Sequence, residues 1–216
     1  MARVRAGDYD AKRGQILDAA AELFAEHGFA SASVAMLSQR CGGSKAWIYH
    51  YYGSKEAILF DLIDSHVRHL LATVRAADDP GAAPRQRLEA LVLALLGAYR
   101  NADDKHAVQL NDLRRLPAAQ QEEIRAHERE IVEIFAAALL AASPRLAERP
   151  ELRKPVTMSL LGMLNWHHRW FRHDGPLGLE EYARVVVGLV LDGIGGAGSA
   201  MIPGFGSKSV ARAEPA

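Results

Sequence analysis

Between residues 33 and 55 the chain gathers side chains that have little use in a hydrophobic core. The stretch reads Ser33-Val34-Ala35-Met36-Leu37-Ser38-Gln39-Arg40-Cys41-Gly42-Gly43-Ser44-Lys45-Ala46-Trp47-Ile48-Tyr49-His50-Tyr51-Tyr52, with Lys55 shortly after. Tyrosine hydroxyls and lysine amines donate hydrogen bonds to phosphate oxygens, and Lys45 can also reach guanine O6 or N7. Ala46 is small enough to let the backbone approach a base edge or to touch a thymine methyl. A surface helix gains nothing from so many aromatic residues unless they pack or bind. Tyr52 reads better as a packing staple onto the following helix; Lys45, Tyr49 and Tyr51 read better as nucleic-acid contacts.

Other residues invite different chemistry. His66 and His69 stand three apart, and His167, His168 and His173 cluster later, so an all-α metal-dependent enzyme is the alternative function. A metal site wants further ligands and ordered partners behind them. Trp166 and Trp170 are four apart with Arg169 between them, which on a helix makes one aromatic face. Such a face serves a dimer core or the wall of a pocket. Residues 60–195 carry no nucleotide-binding glycine loop, no nucleophile elbow and no paired-carboxylate motif, and no cofactor is expected. Glu122, Glu123, Glu128, Glu130 and Glu133, interleaved with Arg125 and Arg129, read as a solvated helix face.

These residues must be positioned by helices, because apolar residues recur at helical spacing almost throughout. Ile16, Leu17, Ala20, Leu23 and Phe24 make one stripe, which Gly28 ends. Ser33, Ser44 and Ser54 are candidate N-caps for a helix over 34–41, a second running through Tyr51, and a long third. Gly42-Gly43 turns the first of these into the second, a helix-turn-helix in which Val34, Leu37 and Cys41 pack inward with Ile48. Lys45, Ala46, Trp47, Tyr49 and His50 are left to point outward. After the break at Asp78–Pro84 the pattern predicts helices near 85–100, 106–115, 118–142, 152–172 and 179–194, with a loop bracketed by Ser143-Pro144 and Arg149-Pro150. The expected fold is all-α: a three-helix domain over 1–56, a helical bundle over 57–196, and a disordered tail over 197–216.

Composition sets bounds without choosing a function. The 216 residues suffice for a core without disulfides. No stretch approaches the roughly 18 apolar residues of a membrane span. The start lacks a secretion signal, so a cytoplasmic protein with no membrane partner is expected. Cys41 is the single cysteine, which excludes an internal disulfide framework and reads as a small buried hydrophobe. The net charge is zero, and residues 1–60 hold seven basic and six acidic side chains, so any nucleic-acid site must rest on local donors.

From Phe24-Ala25-Glu26-His27-Gly28-Phe29 through the helix-turn-helix to Tyr52-Gly53-Ser54-Lys55-Glu56-Ala57-Ile58-Leu59, the chain resembles the DNA-binding domain of TetR-family transcriptional regulators. That resemblance implies a homodimer on double-stranded operator DNA, with the remaining helices forming a ligand-binding and dimerisation domain. It implies phosphate-side positions for Ser33, Trp47, Tyr51 and Lys55 and base-side positions for Lys45, Ala46 and Tyr49, with Ser44 and His50 in the same DNA-facing set. The chain departs from the family at Gly43, where an apolar residue is usual, at Trp47, where a small one is usual, and at Cys41, where alanine is usual.

The later segments Leu110-Asn111-Asp112-Leu113-Arg114-Arg115-Leu116-Pro117 and Gly162–Arg172 are similar to TetR regulators that respond to acyl-CoA thioesters. By that resemblance the effector is an acyl-CoA or a related amphipathic carboxylic derivative that releases a repressor from its operator. Leu110, Leu113, Arg114, Trp166, Arg169 and Trp170 are the candidate ligand residues. A DNA-binding protein with no ligand would instead have a filled core. For the dimer, Leu160, Leu161, Leu164, Val186, Val190 and Leu191 are the expected seam.

Overall fold

Three serines start the small helices of the N-terminal region. Ser33, Ser44 and Ser54 take extended backbone angles, and their side chains accept from the amides of Met36 (3.2 Å), Trp47 (3.1 Å) and Ala57 (3.1 Å). Each satisfies a first-turn donor that the helix itself leaves open. Gly28 (φ 76°) and Gly42 (φ 65°) occupy the left-handed region that ends a helix cleanly. The resulting helices are α1 (Ala2–His27), α2 (Val34–Arg40), α3 (Lys45–Tyr51) and α4 (Lys55–Ala77).

The structure is a computed structural model that describes the backbone of residues 2–100, 102–172 and 174–197 and the side chains of 8–100, 102–172 and 174–193. Beyond α4 come α5 (Pro84–Tyr99), opened by a proline whose missing N–H costs nothing there, and α6 (Asp103–Asp112). They are followed by α7 (Ala118–Ala142), α8 (Pro144–Glu148), α9 (Arg153–Trp166) and α10 (Leu179–Ala197). Short 3₁₀ turns lie at Leu113–Arg115, Pro150–Leu152 and His167–Arg169. Among the described residues there is no strand, so the fold is all-α as the periodicity implies.

Three boundaries differ from expectation. The segment read as a loop after Ser143 contains α8, which Pro144 starts and whose Leu146 is buried. The helix expected over 152–172 leaves α geometry at Trp166 and tightens into a 3₁₀ turn. That tightening carries His167 into the core and sets Phe171 against Tyr182 of α10, ring centroids 5.3 Å apart. The last helix runs past Ile194 to Ala197. The expected tail beyond it and His173 lie outside the described residues.

Two hydrophobic clusters share α4. Ile58, Leu59, Leu62, Ile63 and Val67 pack with α1, α2 and α3, whereas Leu70, Leu71 and Val74 pack with α5, α7, α9 and α10. The N-terminal cluster also takes in Val108 of α6, Leu116, and Ile124 of α7. The two halves of the chain are thus joined through a rigid helix and through the side of α6. The leucine and valine stripe expected at a dimer seam belongs to the second cluster: Leu160, Leu161, Leu164, Val186 and Val190 are buried within the protomer, and Leu191 packs against them. The apolar residues left exposed are instead Met158, Trp166, Trp170, Val185 and Leu189.

Candidate functional site

Helix α3 is held by what lies beneath it. Ile48 is wholly buried, while Lys45, Ala46, Tyr49 and His50 remain exposed on the opposite side, spaced as i and i+4 neighbours. Trp47 and Tyr51 are only half exposed. Their rings meet edge to face at 5.4 Å, and Tyr51 leans on Tyr9 of α1 at 4.8 Å. The aromatic residues therefore form a ledge along one edge of α3 and do not all project outward as the sequence suggests. Ser33 and Ser44 are exposed at the N-termini of α2 and α3.

The two departures at 43 and 47 explain each other. A Cβ at position 43 would lie 2.8 Å from Trp47 Cε3, so the turn needs glycine because the indole fills the space a side chain would take. Beneath them, Asp61 on α4 accepts from Tyr52 Oη and from Arg13 Nε (2.8 Å) and Nη2 of α1. The guanidinium fork and the phenol give this buried carboxylate a complete set of donors. Burial first, and then the neighbouring Asp61, push the Tyr52 phenol far above its ordinary range, so the hydroxyl stays a donor. Tyr52 is a packing residue.

Lys55 has a role that the sequence does not reveal. Its Nζ donates to the carbonyls of Phe29 (2.7 Å) and Ala32 (2.8 Å) and lies 3.4 Å from that of Ala30, with the ammonium over the Phe29 ring. An ammonium has three N–H donors. All three point at the loop between α1 and α2, so the expectation of a phosphate-side amine gives way to that of a clamp holding the loop in place.

The second half holds a partly open cavity of about 800 Å³, within the range usual for ligand sites. Leu70, Leu95, Ile131, Val132, Ala136 and Leu161 supply apolar wall. Arg125, Arg129, Arg153 and Lys154 stand at its exposed edge with Glu128 and Glu133, four cations against two carboxylates. Arg153 pairs with Glu133 at 2.7 Å, whereas Lys154 has no ion-pair partner among the described residues. Tyr99, His106, Gln109 and Asn165 line the buried part.

Of the six candidate ligand residues, Leu110 lines this cavity and the others do not. Arg114 is exposed on the 3₁₀ turn after α6, and Leu113 packs toward the N-terminal cluster. Because α9 ends at Trp166, the two tryptophans do not share a helical face; they are 61% and 53% exposed. Arg169 does lie over the Trp166 ring, 5.7 Å from its centroid, but outside the cavity. The sequence does not reveal the cationic set, because Arg125 and Arg129 carry the pattern of a solvated helix. A usable signal was His106 and Gln109, polar residues on the face of α6 that the neighbouring helices bury.

The histidine rings meet in series: His66 edge to face with His106 (5.9 Å), and His106 tilted against Tyr99 (4.3 Å) and edge to face with His168 (5.2 Å). Burial lowers His66 to about 3 and His106 to about 4, so both are neutral rings in a core. Among the described residues no three His, Cys, Asp or Glu side chains converge as metal ligands would. No described helix is long and apolar enough to cross a membrane.

Comparison with known proteins agrees with this geometry. Residues 16–62 match the family model for bacterial regulatory proteins of the tetR family, and residues 81–194 match that for the tetracyclin repressor-like C-terminal domain. The structure is similar to a TetR-family transcriptional regulator from Bordetella parapertussis 12822, at 34% identity and a TM-score of 0.78, covering 83% of this chain and 94% of that one. It is also similar to AibR, solved with isovaleryl coenzyme A and operator DNA, at 26% identity and a TM-score of 0.71 over 83% and 98% of the two chains. The HTH-type transcriptional repressor KstR2 of Mycobacterium tuberculosis strain H37Rv is 25% identical over 191 residues, 88% of this chain and 96% of that protein. The chain belongs to the TetR family: it is a DNA-binding transcriptional regulator and not an enzyme.

Proposed function

We propose that this regulator is a homodimeric repressor, acting in the cytoplasm, that leaves its operator when an amphipathic anion such as an acyl-CoA enters the cavity. The carrying observation is the cavity itself, about 800 Å³ of mostly apolar wall with an excess of cations at its edge. Apolar walls suit an acyl chain, and arginine and lysine suit phosphates or a carboxylate. A ligand-free DNA-binding protein would have no reason to keep such a space. The likeness to AibR, solved with isovaleryl coenzyme A and operator DNA, supports the same ligand class.

Coupling has a physical route. His106, Gln109 and Leu110 of α6 line the cavity, while Val108 of the same helix packs in the N-terminal cluster. Lys105 of α6 pairs with Asp18 of α1 at 2.6 Å. A ligand that moves α6 or the cavity end of α4 would reorient the helix-turn-helix, changing a spacing that must match major grooves roughly 34 Å apart. In this reading the DNA-contacting set is Lys45, Ala46, Tyr49 and His50 for bases, with Ser33, Ser44, Trp47 and Tyr51 toward phosphates. The functional division falls near residue 56, before the long helix that serves both parts.

For assembly, Val185 and Leu189 stand one turn apart on α10 with their side chains exposed, and Leu189 at 63% is the most exposed of the large apolar residues described. We assign them to the two-fold face. Leu189→Glu is expected to give monomers by sedimentation while leaving the fold intact; a persistent dimer removes α10 from the interface. The effector reading is tested by titrating coenzyme A thioesters and free acids against the protein–operator complex. Release by thioesters supports it, release by free acids alone refutes the coenzyme A part, and release by none sinks it.

A further inference from the structure

The buried end of the cavity holds polar groups that the fold leaves incomplete. His106 is 1% exposed and Gln109 7%, and they stand three apart on the cavity face of α6. Neither ring nitrogen of His106 has a hydrogen-bond partner among the described residues, and neither does Gln109 Oε1. Gln109 and the Asn165 main chain come close to the ring without reaching hydrogen-bond geometry. Native interiors rarely leave such groups unmet, because each has given up water and received nothing.

The orientation of these groups defines what would complete them. Gln109 Nε2 donates to Glu128 Oε1 at 2.7 Å. Turning the amide over would set its oxygen against a carboxylate, so Oε1 stays an acceptor in need of a donor. The neutral His106 ring offers one N–H and one lone pair. A carbonyl would satisfy His106 and leave Gln109 unmet, and a methyl would satisfy neither. A hydroxyl can do both. Two of the cations lie elsewhere: Arg153 and Lys154 are twelve and eleven residues from Asn165 along α9, about 16–18 Å at the helical rise, whereas Arg125 and Arg129 flank Glu128 on α7.

We propose that the effector carries a hydroxyl on the end of its apolar body remote from an anionic head held by Arg153 and Lys154, donating to Gln109 Oε1 and accepting from His106. This rests on the reading of the cavity as the effector site and narrows it from amphipathic anions in general to hydroxylated ones. Recognition works mainly by exclusion. An analogue without the hydroxyl seals two polar groups away from water unpaired, a penalty that discriminates far more strongly than one methylene of apolar contact.

The test uses matched probes: coenzyme A thioesters from hexanoyl to dodecanoyl, their ω-hydroxy counterparts, and 3-hydroxy counterparts as controls for position. Calorimetric titration of the full-length protein is expected to show the ω-hydroxy member binding about tenfold more tightly than its parent at the best-fitting length, with no such gain for the 3-hydroxy member. Gln109→Met, which keeps the length of the side chain, should abolish that preference, so that parent and ω-hydroxy members bind alike. His106→Phe should do the same, and melting curves followed by circular dichroism identify which variants fold. Equal affinity of parent and ω-hydroxy forms, with water completing the pair, overturns this proposal alone. A preference that survives both substitutions also overturns it. Failure of every thioester to bind overturns the cavity reading and this proposal with it.

Discussion

Asp61 and His106 are both polar side chains taken out of water, one under the DNA-binding helices and one in the cavity, and the protein treats them in opposite ways. Asp61 receives a guanidinium fork and a phenol, joining α1, α4 and the end of α3. His106 receives ring contacts and, among the described residues, no hydrogen bond. The first arrangement is closed: both carboxylate oxygens are answered within the chain, which makes it a frame for α3. The second is open and is answered from outside. Within one all-α chain, polar satisfaction separates the part that must hold a geometry from the part that must sense a ligand.

Breaking the closed site should have the largest effect. Asp61→Ala strands the Tyr52 hydroxyl and the partly exposed Arg13 charge, and about 3 kcal/mol of stability should be lost in urea unfolding. Operator affinity should fall with it; an unchanged urea midpoint would show that the network does not hold the domain. The open site predicts a pH dependence instead. His106 has a folded-state pKa of about 4 against an ordinary 6.5, so its neutral form is favoured by folding. Its contribution is complete above about pH 6.5 and is lost as pH falls toward 4, roughly 2 kcal/mol between pH 6.5 and 4.5. His106→Phe should make that dependence shallower, with buried His66 supplying the rest, and an equally steep dependence in the variant would contradict the assignment.

Two smaller effects refine the closed half. Gly43→Ala drives a methyl into the Trp47 ring and should cost about 1–2 kcal/mol in thermal unfolding and weaken operator binding. Trp47→Ala in the same chain should restore the lost stability, whereas a double variant no better than Gly43→Ala would place the strain elsewhere. Lys55→Met leaves carbonyls of the α1–α2 loop without their donor, at about 1 kcal/mol. Because the amine is held by carbonyls, binding should weaken with the slope against salt unchanged. A slope shallower by about one charge would return Lys55 to the phosphates.

The legible parts of the sequence are those set by neighbours a few residues away. Ser33, Ser44 and Ser54 cap helices because capping is local, and Ile48 is buried because helical spacing allows α3 only one inward residue. The cavity depends on residues far apart in the chain. Arg125 and Arg129 cannot be told from a solvated face until α9 brings Arg153 and Lys154 beside them. The tryptophan pair misled for a related reason: four-residue spacing shares a face only while the helix continues, and α9 stops at Trp166. The charge of Lys55 suggests a phosphate contact, but the carbonyls it serves lie more than twenty residues upstream.

The contact between positions 43 and 47 also constrains how this chain could have acquired its recognition helix. An indole arriving at 47 while 43 still bore a side chain would meet that side chain near 2.8 Å. A glycine arriving first meets nothing and leaves only a looser turn. The path through Gly43 is open in single steps and the reverse path crosses a defective intermediate, so tryptophan at 47 depends on glycine at 43. Grafting it alone onto a relative with a bulkier turn should import the clash along with the indole.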